Sequence, residues 1–209
     1  MNFKYYKTTY LITVVILLAG LLDWSIGTFL IPLLKNNHLE YLIRIPSNAA
    51  IIGGLLILYD QFLWKCPIFS FLVSVPDMNG RYTGNIHYRW KNEAQSKDCV
   101  VEINQTASKI HVRSFFNNEN RQRTESRSFI ETIEKGDDGN YSIYLFYSNG
   151  GSKTDGKLDT HEGANMLKYL PKTTKTRSKL TGYYFTNRQK QTKGEIEVVF
   201  ESKKRKGEF

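Results

Sequence analysis

The residues best suited to chemistry in this chain are aromatic and basic, and they alternate. In "VPDMNGRYTGNIHYRW" (Val75–Trp90), Tyr82, Gly84, Ile86, Tyr88 and Trp90 fall on one face of a strand. Arg81, Thr83, Asn85, His87 and Arg89 fall on the other. Aromatic rings offer faces on which bases stack, and arginines give charge-assisted hydrogen bonds to phosphate. The pattern recurs where Arg113 precedes Phe115 and Phe116, and where Tyr183, Tyr184 and Phe185 precede Arg188. Strand position and residue type place Trp90 in a pocket wall and Arg113 against a phosphate. Packing is the competing role, because Tyr and Phe favour strands and fill barrels in any case.

Catalytic signatures are missing. The sequence holds no GxSxG, Walker lysine loop, HExxH or helix-opening GxGxxG. The four histidines (His38, His87, His111, His161) are scattered, and "DTHEG" (Asp159–Gly163) reads as a loop, not a metal centre. Cys66 and Cys99 form no disulfide framework or zinc spacing, and both are expected to be small buried apolar residues. The reading is a binding protein and not an enzyme, with no cofactor and no metal.

An all-β domain over residues 76–209 must position these groups. Expected strands are Arg81–Trp90, Asp98–Asn104, Lys109–Phe116, Arg127–Glu134, Tyr141–Ser148, Asn165–Leu170, Leu180–Thr186 and Glu195–Glu201, separated by turn-rich segments such as "KGDDGN" and "SNGGSKTDG". Eight short strands fit a small eight-stranded β-barrel able to hold one small ligand, with a sandwich as the alternative. Gly84 and Gly182 imply sharp bends or the close approach of a ligand. Lys and Arg outnumber Asp and Glu by 29 to 20, a balance that favours anionic partners. The terminal "SKKRKGEF" reads as a solvated, frayed end.

Residues 1–75 read as a membrane region. Tyr10–Leu34 is a long apolar run interrupted only by Asp23, and a second span is expected over about 49–65, bracketed by Pro46 and Pro67. Lys4, Lys7 and Lys65 flank these spans, so both termini are expected on the cytoplasmic side of a bacterial inner membrane. A carboxylate inside a span is costly and tends to face a partner helix or water, which makes Asp23 a candidate for span association or conduction.

"PDMNGRYTG" (Pro76–Gly84), "HEGANMLKYL" and "LTGYYFTNRQKQTKGEIEV", together with two N-terminal spans, resemble one bacterial family. It is the two-transmembrane, β-strand-rich effector family of CBASS antiphage systems, CD-NTase-associated protein 15. The matching features are Gly80-x-Tyr82-x-Gly84 and Gly182-x-Tyr184 followed by Asn187, Arg188 and Gly194. The resemblance implies a barrel that binds a cyclic dinucleotide made by a cyclic-oligonucleotide synthase. It further implies a homo-oligomer on activation, contact with inner-membrane lipid, and disruption of that membrane with abortive-infection cell death. On the motif match, Tyr82 and Tyr184 are expected as stacking or pocket walls, Arg188 against phosphate and Asn187 at a base edge. Two other classes stay open: a membrane-tethered, lipocalin-like carrier of an apolar molecule, and a nucleic-acid binder, for which no motif speaks and no stable partner is expected.

Overall fold

The computed structural model describes residues 3–30, 32, 40–90, 93–117, 123–151, 160–188 and 191–209. The chain divides into two compact units: Met1–Pro76 with Thr106–Lys109, and Asp77–Gln105 with Ile110–Phe209.

The first unit is helical. α1 (Thr8–Ser25) runs on into a π-helical turn over Ile26–Leu30, and α2 covers Glu40–Gln61. Among the described residues one helix, Thr8–Phe29, is long and apolar enough to cross a membrane. The second expected crossing falls on α2, which starts well before 49 and runs through Pro46 instead of being bounded by it. A proline removes one intrahelical hydrogen bond and kinks a helix, but it need not end one. The first half of α2 carries Glu40, Arg44 and Asn48, so its apolar character is confined to the second half. Tyr6 bridges Val73 in antiparallel fashion, with the Lys7 N–H donating to the Leu72 carbonyl and the Ser74 N–H to that of Tyr5, both at 2.9 Å. The start of α1 thus lies beside the segment that leaves the helical region. Asp23 is exposed on α1, and Cys66, expected to be buried, is exposed in the turns after α2.

The second unit is a closed barrel of eight antiparallel strands in sequence order. They are β1 (Gly80–Trp90), β2 (Glu93–Gln105), β3 (Ile110–Asn117), β4 (Arg123–Lys135), β5 (Tyr141–Asn149), β6 (His161–Leu170), β7 (Lys179–Thr186) and β8 (Lys193–Ser202). β8 closes on β1 with Ile86 opposite Ile196. Alternation sends Tyr82, Val101, Ile103, Val112, Ile143, Leu167, Leu180 and Val198 into a packed core at one end, all nearly inaccessible. Each such side chain contributes about 1.5–3 kcal/mol of burial.

β2 and β6 begin four or more residues earlier than their apolar patterns suggest, and His161–Gly163 is strand where a loop was expected. Those extensions face the other end of the barrel. Their buried-side positions include Gln95, Lys97 and His161, which hydrophobic alternation cannot flag.

Gly84 and Gly182 serve the closure. A Cβ there would stand 2.1 Å from the Glu197 carbonyl oxygen and 1.8 Å from that of Met166. It is the neighbouring strand, not a ligand, that approaches, as a tightly coiled small barrel requires. The basic tail is not frayed. Arg81 and Glu102, each 3% exposed, pair at 2.9 Å. The Lys206 and Gly207 N–H groups donate to the Glu102 carboxylate at 2.7 and 3.1 Å, and Arg81 donates to the Glu208 carbonyl at 2.6 Å. A buried ion pair is tolerated when its remaining hydrogen-bonding groups are met, and the returning tail meets them.

Candidate ligand-binding site

At the open end the inward positions turn polar and a cavity of about 340 Å³ remains. Its walls include Tyr88 from β1, Lys97 from β2, Tyr147 from β5, Asn165 from β6, Tyr184 from β7 and Arg188 just beyond β7. The size and the mix of rings with a few placed polar groups are those of a small-molecule site.

Two glycines seat the rings. A Cβ on Gly163 would stand 2.4 Å from the Tyr147 hydroxyl, and one on Gly194 would stand 2.7 Å from Tyr184 Cε1. Only a bare backbone lets these tyrosines lie so close to the wall. Burial pushes the Tyr147 phenol up to about 12, partly countered by the Arg188 charge. Burial, with Tyr147 and Tyr88 nearby, raises Tyr184 further still. Both are therefore neutral hydroxyls at physiological pH, able to donate as well as accept. The Lys97 ammonium lies 5.6 Å from the Tyr88 ring centroid, within cation–π range.

Arg188 is oriented by a partner. Its Nη2 donates to His161 Nδ1 at 3.1 Å. A guanidinium has no acceptor, so Nδ1 must accept, and a neutral His161 carries its proton on Nε2. The His161 ring stands edge-on to Tyr147, with centroids 6.4 Å apart. Asn187, expected at a base edge, instead fastens the chain to β6. Its N–H donates to the Glu162 carbonyl at 3.0 Å and its Oδ1 accepts the Glu162 N–H at 2.9 Å. That clasp fixes where Arg188 leaves the strand.

Of the residues singled out in the sequence, Tyr184 and Arg188 meet at the cavity. Tyr82 does not: it is 1% exposed in the closed end, its hydroxyl donates to the Met78 carbonyl at 2.9 Å, and its ring meets Phe200 edge-on. It enters near the start of β1, where the barrel is filled. Arg113 stands apart from the cavity lining, with Nε donating to Glu125 Oε1 at 2.6 Å and Nη2 reaching the Gly207 carbonyl at 3.5 Å. Although burial raises the Glu125 carboxyl, Arg127 and Arg113 together hold it below the usual carboxylate range. The Trp90 side chain lies outside the described residues. Asp23 belongs to the helical unit.

Lys97, Tyr147, Asn165 and His161 were not legible as site residues. Tyr147 alone carried a signal, sharing a face with Ile143 and Leu145 near the end of a strand.

No curated protein matches the chain. The model of the Cap15 cyclic dinucleotide receptor domain matches residues 73–199, which run from before β1 into β8 and take in every cavity residue named above. With that match over more than half of its length, the chain belongs to the Cap15 family and carries its cyclic dinucleotide receptor domain.

Proposed function

We propose that this protein is an antiphage effector: its barrel mouth reads a cyclic dinucleotide, and the bound form assembles and breaches the inner membrane. One observation carries the reading. Two cations, Lys97 and Arg188, and three tyrosines, Tyr88, Tyr147 and Tyr184, line a single cavity. A cyclic dinucleotide presents two phosphates to the cations and two bases to the rings. An apolar cargo would instead desolvate Lys97, Arg188 and Asn165 without giving them partners, which disfavours the carrier alternative.

The helical unit supports a membrane hairpin. α1 with its π-helical turn is long and apolar enough for one crossing, and the apolar second half of α2 is proposed as the other. The pairing of Tyr5–Lys7 with Leu72–Ser74 supports exit on the side of entry, and Lys4, Lys7 and Lys65 favour the cytoplasm for that side. Asp23 within Thr8–Phe29 supplies a polar point at which spans could associate.

Assembly with further copies is supported by the barrel's outer face. Phe146, Ala164 and Phe185 form one row across β5–β7, and Tyr144, Met166 and Tyr183 form the next. Phe146 is 53% and Tyr183 60% exposed. These rows with Ile130 form a contiguous exposed apolar face, the kind of surface that marks an interaction site. The occupant we assign is a second copy, with a cyclic-oligonucleotide synthase as the functional partner that supplies the ligand.

The test is dye leakage from vesicles of inner-membrane lipid carrying the full chain. Cyclic dinucleotide should cause leakage in the native protein, and Asp23→Leu should bind the ligand but not leak. Ligand binding with intact vesicles throughout would refute the membrane step.

A further inference from the structure

The two buried amides that line the cavity are used differently. Asn149 is saturated by the protein: Nδ2 donates to Ser126 Oγ at 2.8 Å, and Oδ1 accepts the Gly151 N–H at 2.9 Å. Other polar groups of the mouth also pair with one another, as Thr186 does with Thr192 at 2.9 Å between hydroxyls. Asn165 differs. It is 7% exposed, and its Oδ1 is fully buried with no hydrogen-bond partner among the described residues.

The register neighbours of Asn165 among the described residues are apolar or aromatic. Asn165 lies between Leu145 on β5 and Tyr184 on β7, one inward step from Leu167, which is fully buried. A leucine would suit that level of the barrel. A buried unpaired acceptor costs folding free energy, and at the edge of a binding cavity it marks a group that a donor from water or ligand can satisfy. The partner of Asn165 across to β7 is Tyr184, a ring that also neighbours Tyr147 and Tyr88. An amide at the foot of tyrosine rings is the chemistry that reads the edge of a flat, nitrogen-bearing heterocycle.

We propose that Asn165 is the base-reading residue of this cavity: its Oδ1, enclosed in the empty barrel, turns toward the cavity on binding and accepts a hydrogen bond from an N–H of one nucleobase, exocyclic amino or ring imide. This rests on the receptor reading above and adds to it the residue that selects the base. A base presenting a carbonyl or C–H at that point leaves the acceptor unpaired and binds more weakly.

The test uses the full chain in detergent micelles and isothermal titration with cyclic di-AMP, cyclic di-GMP and cyclic UMP-AMP. The tightest of these is then compared with analogues in which one base has its exocyclic amino group replaced by hydrogen or its ring N–H methylated. In the native protein one analogue should lose about tenfold in affinity, the share of a single buried hydrogen bond. Asn165→Leu should bind the parent ligand as weakly as that analogue, lose the preference between them, and melt no lower than native when empty. Asn165→Asp keeps an acceptor in place and should keep the preference, which decides the matter if the leucine variant fails to fold. Native affinity in Asn165→Leu, or an equal analogue penalty in native and leucine proteins, overturns the assignment alone. No binding of any of the three to the native chain overturns the receptor reading and this assignment with it.

Discussion

Replacing Arg188 by alanine isolates the electrostatic part of recognition from the fold. The side chain lines the cavity and donates to His161 Nδ1 at 3.1 Å, while its backbone is held by the neighbouring Asn187 clasp on Glu162. Alanine leaves that clasp intact and frees one imidazole nitrogen at a half-buried position, so the stability change should stay within about 0.5 kcal/mol. Ligand binding loses more. A charge-assisted hydrogen bond to phosphate contributes about 1.5–3 kcal/mol, or about 10- to 150-fold in affinity. Counter-ions screen a group so near the surface, so we expect about 30-fold at physiological ionic strength, with a weaker salt dependence than native. Arg188→Lys keeps the charge but not the planar fork that meets both phosphate and His161, and should fall between the two. Titration calorimetry at two salt concentrations, paired with thermal melts of the empty proteins, reads both quantities. An alanine variant that binds within about twofold of native would refute the phosphate role. One that loses ligand and also melts many degrees lower would show that Arg188 supports the fold instead.

Two further outcomes follow from the same geometry. Gly194→Ala places a Cβ 2.2 Å from the His87 carbonyl oxygen and 2.7 Å from Tyr184 Cε1. It should cost about 1–3 kcal/mol on a chemical melt and abolish ligand binding, whereas Gly150→Ala, with open space around it, should do neither. Asp77 should make stability fall in acid: burial raises its pKa, but Lys203 and Asn79 hold it below the usual range, as Arg127 and Arg113 do for Glu125. Depressed carboxylates contribute fully above their unfolded values and lose that contribution as pH falls through the folded ones, so denaturant midpoints should decline below about pH 5. A midpoint flat down to pH 3 would remove both groups from the ledger.

Why the barrel was legible and its mouth was not has one physical cause. Strands whose inward positions are apolar announce themselves: Tyr82 and Ile86 in β1, or Ile196 and Val198 in β8, alternate against polar neighbours such as Asn85 and Glu197. Where β2, β4 and β6 enter the mouth their inward positions are Gln95, Lys97, Ser126 and His161, so both faces are polar and the period of two disappears. Those stretches read as loops, which is why β2 and β6 looked short, whereas Tyr88, Tyr147 and Tyr184 fall within strands expected from the sequence. Tail residues Lys206–Glu208 were misread for a related reason, since their partners Arg81 and Glu102 are distant in sequence.

The contrast between Tyr82 and Tyr184 carries this further. Each stands two residues after a glycine in a similar motif, yet Tyr82 packs the closed end and Tyr184 walls the cavity. In an up-and-down barrel the odd strands all run one way, so the start of β1 and the end of β7 lie at opposite ends. Inward residues late in odd strands (Tyr88, Phe116, Tyr147, Tyr184) and early in even strands (Lys97, Thr124, His161) must then share one mouth, as they do here. Position along the strand, more than residue type or motif, separates a ligand wall from a core residue in this fold.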